Sequence, residues 1–442
     1  MNRRLAWAGV ALSTLFILVA TLHVAGRTVP PGWSFALASG NEALAELIQN
    51  LLLFMPLGAS LTLVGVPPLR AVAIGTALSF SVEFAQQWIP GRDPSVGDIV
   101  INAASTGLGV AVAAARRWLW ASPALSARLA LGIAVTALLV WTATGLLLRP
   151  VFPDPPYRDA WTPDVDYWGR YRGKVLAARW GPVTLAQDTI GEGQFLLKTG
   201  QALEVTVIAP NRPPRRESPF LALFDERNTQ VLMFFIDGAD LVVLHHMKAL
   251  ALTLEEVDLR WRHALARVAP EDTFVVQTWR GEYGVCMSVN SARRCGFGYT
   301  IGDGWKLIFY PEHFPAWLYL LLNICWMVGW TVGVGWWAAR ATAAGKAAAG
   351  TAAADKAAAG TTAAAGNTAA GKAAAGTTAA DKAAAVAAAA VVLLGLIVVP
   401  MMTGLKTTPI LEWIGALGGL GLGTYLTRHF STPPTTPFIQ RH

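Results

Sequence analysis

The sequence predicts an α-helical polytopic membrane protein of about eight transmembrane helices with an inserted all-β antiparallel sandwich domain. Three observations carry that reading. Hydrophobic residues fill 54% of the 442 positions and charged residues only 14%, a balance outside that of ordinary soluble domains. Crossing a bilayer takes about 20 apolar residues, and such runs recur near 5 to 25, 44 to 64, 70 to 89, 97 to 115, 129 to 148, 315 to 338, 385 to 403 and 409 to 427. Between the fifth and sixth runs, short apolar stretches and partial alternation take over, which is the pattern of strands.

The first run, LAWAGVALSTLFILVATLHVA, has spanning length and no A-x-A site closes it, so it reads as an uncleaved first helix. With the N-terminus inside, the inner segments hold Arg3 and Arg4, Arg70, Arg116 with Arg117 and Arg128, Arg340 with the lysines after it, and Arg428 with Arg441. The outer side holds little more than Arg27, Arg92, Arg149 and Lys406. Short cytoplasmic loops concentrate Lys and Arg, so both termini are expected in the cytoplasm and residues 150–313 outside it. The net charge of +7 is scattered among apolar runs and makes no basic stripe for nucleic acid.

The expected order is five spans in 1–148, a sandwich over 150–313, a helix over 314–340, a linker over 341–385, two helices in 386–428 and a tail at 429–442. In the sandwich, ALEVTVIA, FLALFD, QVLMFFI, LVVLHHM, TFVVQTWRG, YGVCMSV and WKLIFY are the candidate strands, with Asp237-Gly238 as a tight hairpin turn. A two-residue turn at Asn290-Ser291 would set Cys286 opposite Cys295 within disulfide range; a shifted register would leave two free thiols. Three cysteines in all exclude a disulfide-dense scaffold, and Cys325, inside a span, reads as packing. In the linker, GKAAAGTAAADKAAAG (345 to 360) returns almost unchanged as GKAAAGTTAADKAAAV (371 to 386). Alanine favours helix and the repeated glycines oppose it, so a partly helical cytoplasmic tether is expected.

Polar residues in SFSVEFAQQWIPGRDPSVGDIVINAASTGLG (79 to 109) are the candidate functional site. At about 1.5 Å per helical residue, Asn50, Glu83 and Asn102 fall at one depth, about 10 Å or less below the outer surface. Glu83 with Gln86, and Asp98 with Asn102, share helix faces. Arg92 in the connecting loop has a guanidinium that forks to carboxylate or phosphate, Asp93 or Ser95 would cap the next helix, and Gly58, Gly97, Gly107 and Gly109 would allow close helix approach. Polar groups at membrane depth are either paired structurally or functional. Both readings stay open here: an ion pair of Arg92 with Glu83 and Asp98 glued by Asn50, Gln86 and Asn102, or an outward polar pocket.

The segments NLLLFMPLG, SVEFAQQWIPGR and DIVINAASTGLG resemble the VanZ-like membrane family over about residues 40 to 115. Asn50, Phe54, Pro56, Gly58, Glu83, Gln86, Arg92, Asp98 and Asn102 take the motif positions. Gly97-Asp98 stands where many members have two acidic residues, and Ala104-Ser105 replaces a Gly-Ala type step. The resemblance implies a protein of the bacterial cytoplasmic membrane with a cell-envelope role; the family name comes from a glycopeptide-resistance protein. The region around FLALFDERNTQVLMFFIDGADLVVLHH is similar to concanavalin A-like or laminin-G-like sandwiches, which implies glycan or protein binding.

No G-x-S-x-G, HExxH or Walker A stretch occurs. His245 and His246 would point to opposite strand faces, so no metal or other cofactor is expected; Asp237 and Asp240 serve a turn better than calcium. Trp279, Trp305 and Tyr310 are core or sugar-stacking candidates, and Trp317, Trp336 and Trp337 are interface anchors. The expected function is recognition of an anionic or lipid-linked envelope component by Asn50, Glu83, Gln86, Arg92, Asp98 and Asn102. A membrane enzyme with Glu83 and Asp98 as acid and base is one alternative, and an anchor that merely displays the sandwich is another.

Overall fold

Proline and glycine set the breaks between the first helices. The computed structural model describes residues 3–22, 33–35, 42–90, 92, 94–115, 122–152, 156–164, 168–187, 190–191, 201–214, 216–282, 284–311, 314–358 and 368–430. Helix α1 is Arg3–Thr21, and α2 (Ala43–Leu53) gives way at Phe54 to α3 (Met55–Val64). Pro56, in the first turn of α3, has no N–H to continue the ladder, so the span bends there. Gly65, at φ +97°, closes α3 and passes its N–H to Thr62 while Val66 donates to Leu61. Pro68 then opens α4 (Pro68–Gln86), and a short connection leads to α5 (Val96–Ala114).

The remaining helices are α6 (Pro123–Leu147), α7 (Ala316–Ala358), α8 (Thr368–Thr403) and α9 (Ile410–Phe430). Among the described residues, six helices are long and apolar enough to cross a membrane: α1, α2 with α3, α5, α6, the first part of α7 and the second part of α8. The other two expected spans, α4 and α9, have 19 and 21 residues but fall short in apolarity. Arg70, Glu83 and Gln86 dilute α4, and Glu412, Arg428 and His429 dilute α9.

Packing divides the helices into two groups. Ile17, Phe54, Leu57, Leu61, Ala71, Val82 and Val110 form one buried cluster from α1 to α5. Ala134, Trp141, Met327, Val334, Val392 and Ala416 belong to a second, drawn from α6 to α9. Thus α6, the fifth expected span, grouped with the four before it on sequence order alone, has its buried face against the C-terminal helices. Cys325, expected as packing, is exposed on α7. The Ala-rich segment is helical as far as Ala358 and again from Thr368; extending an existing helix avoids the cost of nucleating a new one. Residues 359–367 lie outside the described residues.

Between α6 and α7 the chain forms two antiparallel six-stranded sheets. The strands are β1 (Tyr157–Trp161), β2 (Lys174–Trp180), β3 (Val183–Leu185), β4 (Ile190–Gly191), β5 (Leu203–Ile208), β6 (Ser218–Phe224), β7 (Gln230–Asp237), β8 (Asp240–His245), β9 (Leu259–Trp261), β10 (Thr273–Gly281), β11 (Gly284–Val289) and β12 (Ala292–Phe297). The orders are β4-β1-β6-β7-β8-β9 and β12-β11-β10-β5-β2-β3. Leu203, Val205 and Val207 alternate inward from β5 to meet Phe220 and Phe234 of the other sheet. Strands β6 and β7 are buried on both faces, because Trp168 covers Ala222, Met233 and Phe235 on the outer side.

Two turns can be compared with expectation. Asp237 pairs with Asp240, so the β7–β8 turn is Gly238-Ala239, one residue later than expected, with Gly238 at φ +57°. Val289 pairs with Ala292 across Asn290-Ser291, and Cys286 is joined to Cys295 with Cα atoms 4.0 Å apart. The sandwich is seated on the helices. Leu44 and Leu147 pack against its core, and Leu44 donates its N–H to the Thr253 carbonyl at 3.1 Å. Gln49 donates to the Ile308 carbonyl at 2.7 Å.

Candidate functional site

Helix ends explain where the charges sit. Ser95 caps α5, its hydroxyl accepting from Gly97 N–H at 3.0 Å; Asp93, the other expected cap, lies outside the described residues. Glu83 of α4 accepts the Ser95 N–H at 2.8 Å, and Asp98 occupies the first turn of α5. Both carboxylates therefore lie at the positive end of the α5 dipole. Arg92 donates to the Ala20 carbonyl at 3.4 Å and Gln86 to the Thr21 carbonyl at 3.1 Å, so both meet the negative, C-terminal end of α1. Burial lowers the pKa of the Arg92 guanidinium, against the opposing pull of Glu83 and Glu46.

Asn50 donates to Asp98 at 2.8 Å, tying α2 to α5. Ser34 adds a third connection: its N–H donates to Pro94 and its carbonyl accepts from Val96. Asn102 does not share this level. It donates to the Ser79 hydroxyl at 3.0 Å, and Ser79 and Asn102 each lie one turn below Glu83 and Asp98 along their helices. The single expected layer is therefore two. The reason is that α2 meets α5 at its first turn, which sets Asn50 opposite Asp98 and leaves Asn102 facing α4. The Asn102 Oδ1 atom is buried with no hydrogen-bond partner.

Close helix approach holds these levels in place. A Cβ at Gly58 would strike the Thr106 carbonyl, and one at Gly109 the Met55 carbonyl. Gly107 meets nothing nearer than 3.9 Å and does not serve that purpose; Gly75, against the Thr106 side chain, does. Ser105 donates to the Leu51 carbonyl. Trp33, Phe80, Phe84 and Trp88 follow one another in a ladder along the exposed side of α4, the first two pairs stacked and the last edge-on at 4.8 Å between ring centroids.

Residues 10–119 match the VanZ/LLP1 family. No curated protein and no solved structure matches the chain. The VanZ-like stretch begins earlier than the motif resemblance and takes in α1 from residue 10 onward, including the terminal carbonyls that receive Gln86 and Arg92. It ends before α6, where the helix grouping also changes. Every expected site residue lies within the VanZ-like region. Glu46 is the residue that sequence reading missed: it stands four positions before Asn50 on α2, a same-face spacing that would have revealed it. Glu83, Gln86 and Asn102 are buried, whereas Asn50, Arg92 and Asp98 are partly open and Glu46 is exposed.

The VanZ-like match does not reach the sheets; the expected sandwich is present as two antiparallel sheets, and no comparison links it to concanavalin A-like or laminin-G-like domains. Asp237 and Asp240, weighed for calcium, instead face Arg260 at 2.5 and 3.6 Å; Asp258 at 3.0 Å and Glu217 complete the group. Among the described residues, no three His, Cys, Asp or Glu side chains gather as metal ligands. Trp305 donates to Asn323 of α7 at 2.7 Å and Tyr310 donates to Asp258, so both are built into the seat of the sandwich. Trp279 lies under the Arg293 guanidinium at 4.7 Å. Asp225, Glu226 and Asn228, in the DERNTQV stretch, border a surface cavity with Pro156 and Arg158.

Proposed function

We propose that this chain is a multi-pass cell-envelope protein of the bacterial cytoplasmic membrane whose VanZ-like helices bind the headgroup of a membrane lipid or lipid-linked precursor. In this reading α4 and α9 complete eight crossings, the termini are cytoplasmic, and the headgroup site and sandwich face outward. The Lys and Arg distribution supports that orientation. So does the seating of the sandwich beside the start of α2, the same end at which Asn50 reaches Asp98.

The carrying observation is a partly open guanidinium flanked by Glu83 and Glu46, on a span whose exposed side bears an aromatic ladder. Trp and aromatic side chains of that kind concentrate where headgroups lie. Arg92 would engage the phosphate, Asn50 and Gln86 would hold their helices in register, and Glu83 would fix the start of α5 beneath it. The sandwich would sample glycan or protein through the cavity at Arg158, Asp225 and Asn228. Acid–base chemistry by Glu83 and Asp98 draws little support, since Glu83 holds the Ser95 amide and Asp98 the Asn50 side chain.

The test is full-length Arg92→Ala in proteoliposomes with a labelled lipid-linked precursor. Retention of the label should be lost at unchanged protein level. Wild-type retention by the variant would overturn the reading.

A further inference from the structure

Resting on the outward placement of the sandwich in the preceding reading, but not on the site at Arg92, we propose that one corner of its second sheet docks on anionic phospholipid headgroups. The register sets the level of this corner. Arg280 pairs with Val285 and Val285 with Phe297, which makes one row across β10, β11 and β12. The residues just after Phe297 meet the helices: the Lys406 N–H donates to the Tyr299 carbonyl at 2.9 Å, and a Cβ at Gly298 would lie 3.1 Å from the Lys406 side chain. Lys406 follows the end of α8 closely, and Met401 and Met402 in the last turn of that helix are 77% and 76% exposed. Apolar side chains so bare at the end of a spanning helix mark contact with lipid. The row from Arg280 to Phe297 therefore stands where headgroups begin.

Positive charge gathers at that level. Arg280, Arg293 and Arg294 are exposed, Lys406 is half-buried, and Glu282 is the carboxylate of the β10–β11 tip. Arg294 and Arg293 pair with Met287 and Ser288, which puts their backbones about 7 and 10 Å above the Phe297 row at the rise of a strand. Both guanidiniums lean back toward it: Arg293 lies 4.7 Å from the centre of the Trp279 ring and Arg294 5.3 Å from that of Phe297. A guanidinium resting on a ring face keeps its N–H edge for a phosphate, and tryptophan is a side chain that concentrates at headgroup depth. These cations fall within about one Debye length of the surface, where each Lys or Arg favours an anionic membrane about fivefold. The corner is a second foothold beside the seat at Leu44 and Gln49, and its hold depends on lipid charge.

Full-length protein in nanodiscs of phosphatidylcholine alone, or of phosphatidylcholine with an equal part of phosphatidylglycerol, tests this by hydrogen exchange of the peptides that cover β10 to β12. Phosphatidylglycerol should slow exchange at the β10–β11 tip and along the edge strand β12 by about tenfold or more, and about 0.5 M salt should remove the difference. Arg280→Gln, Arg293→Gln and Arg294→Gln together should bring exchange in phosphatidylglycerol to the neutral-lipid rate, with exchange in phosphatidylcholine as in the wild type. Arg293→Gln alone should relieve the slowing about fivefold. Equal exchange in the two lipids, a difference that survives salt, or a difference that survives the triple substitution would overturn the foothold. Arg92→Ala, the variant that tests the headgroup site, should keep the full slowing, so the two readings fail separately.

Discussion

Two polar clusters sit at the helix ends, and they are finished differently. Where the sandwich meets α7 and α9, Glu412 accepts from Thr300 at 2.5 Å, from Gly302 N–H at 3.1 Å and from Asn323 at 3.2 Å. Asp303 in turn takes Lys306 at 2.7 Å and the Thr300 N–H at 2.7 Å. Burial disfavours charge on Asp303, but Lys306 and these hydrogen bonds outweigh it and bring its pKa below the ordinary value. Thr300, Gly302, Asp303, Asn323 and Glu412 are thereby tied together across the sandwich, α7 and α9. In the VanZ-like cluster one buried amide oxygen has none, and Glu46 opens to the surroundings. A network that links three elements rigidifies a structure; one with a buried acceptor to spare and an open rim is suited to a ligand. The first is a mount and the second a receptor.

The largest expected effect is inside the sandwich that the mount carries. Arg260→Ala takes the shared guanidinium from the buried Glu217 and Asp258 and the half-buried Asp237 and Asp240, and removing one partner from such a group costs about 3 to 5 kcal/mol. Thermal unfolding of the detergent-solubilised protein should show a sharply lower melting temperature, and an unchanged one would refute the role given to Arg260.

Next comes pH. His245, 4% exposed, has its pKa pushed down by burial to about 4. Its folded value lies below the unfolded value of about 6.5, so the unfolded chain binds the proton more readily and stability falls as pH drops from about 6.5 to 4. The full difference is of order 3 kcal/mol. His245→Phe should flatten the pH dependence of the melting temperature over that window, and the same slope in the variant would count against this assignment.

The smallest effect belongs to the receptor. Asn50→Ala removes one interhelical hydrogen bond, worth about 0.6 kcal/mol on average in membranes. It should leave the melting temperature nearly unchanged while reducing lipid retention. A destabilisation as large as that of Arg260→Ala would erase the distinction between the two clusters.

Much of this architecture could be read before any coordinates. Apolar length marks the helices, partial alternation marks the strands, and the Asn290-Ser291 turn brings Cys286 to Cys295, because each depends on neighbours close in the chain. The β7–β8 turn slipped by one residue because Asp237 is drawn into the strand, where its carboxylate meets Arg260 from β9. The assignment of Trp305 and Tyr310 likewise depended on Asn323 and Asp258, each more than fifteen positions away.

Local order along the chain thus dictates which segments are helix or strand, and which polar residues stand on one helix face. It says nothing about which faces meet. That α6 joins the C-terminal helices, that Asn50 meets Asp98 while Asn102 meets Ser79, and that Glu46 stands beside Arg92 were settled by packing between distant segments, where small residues such as Gly58 and Gly109 let one backbone rest against another.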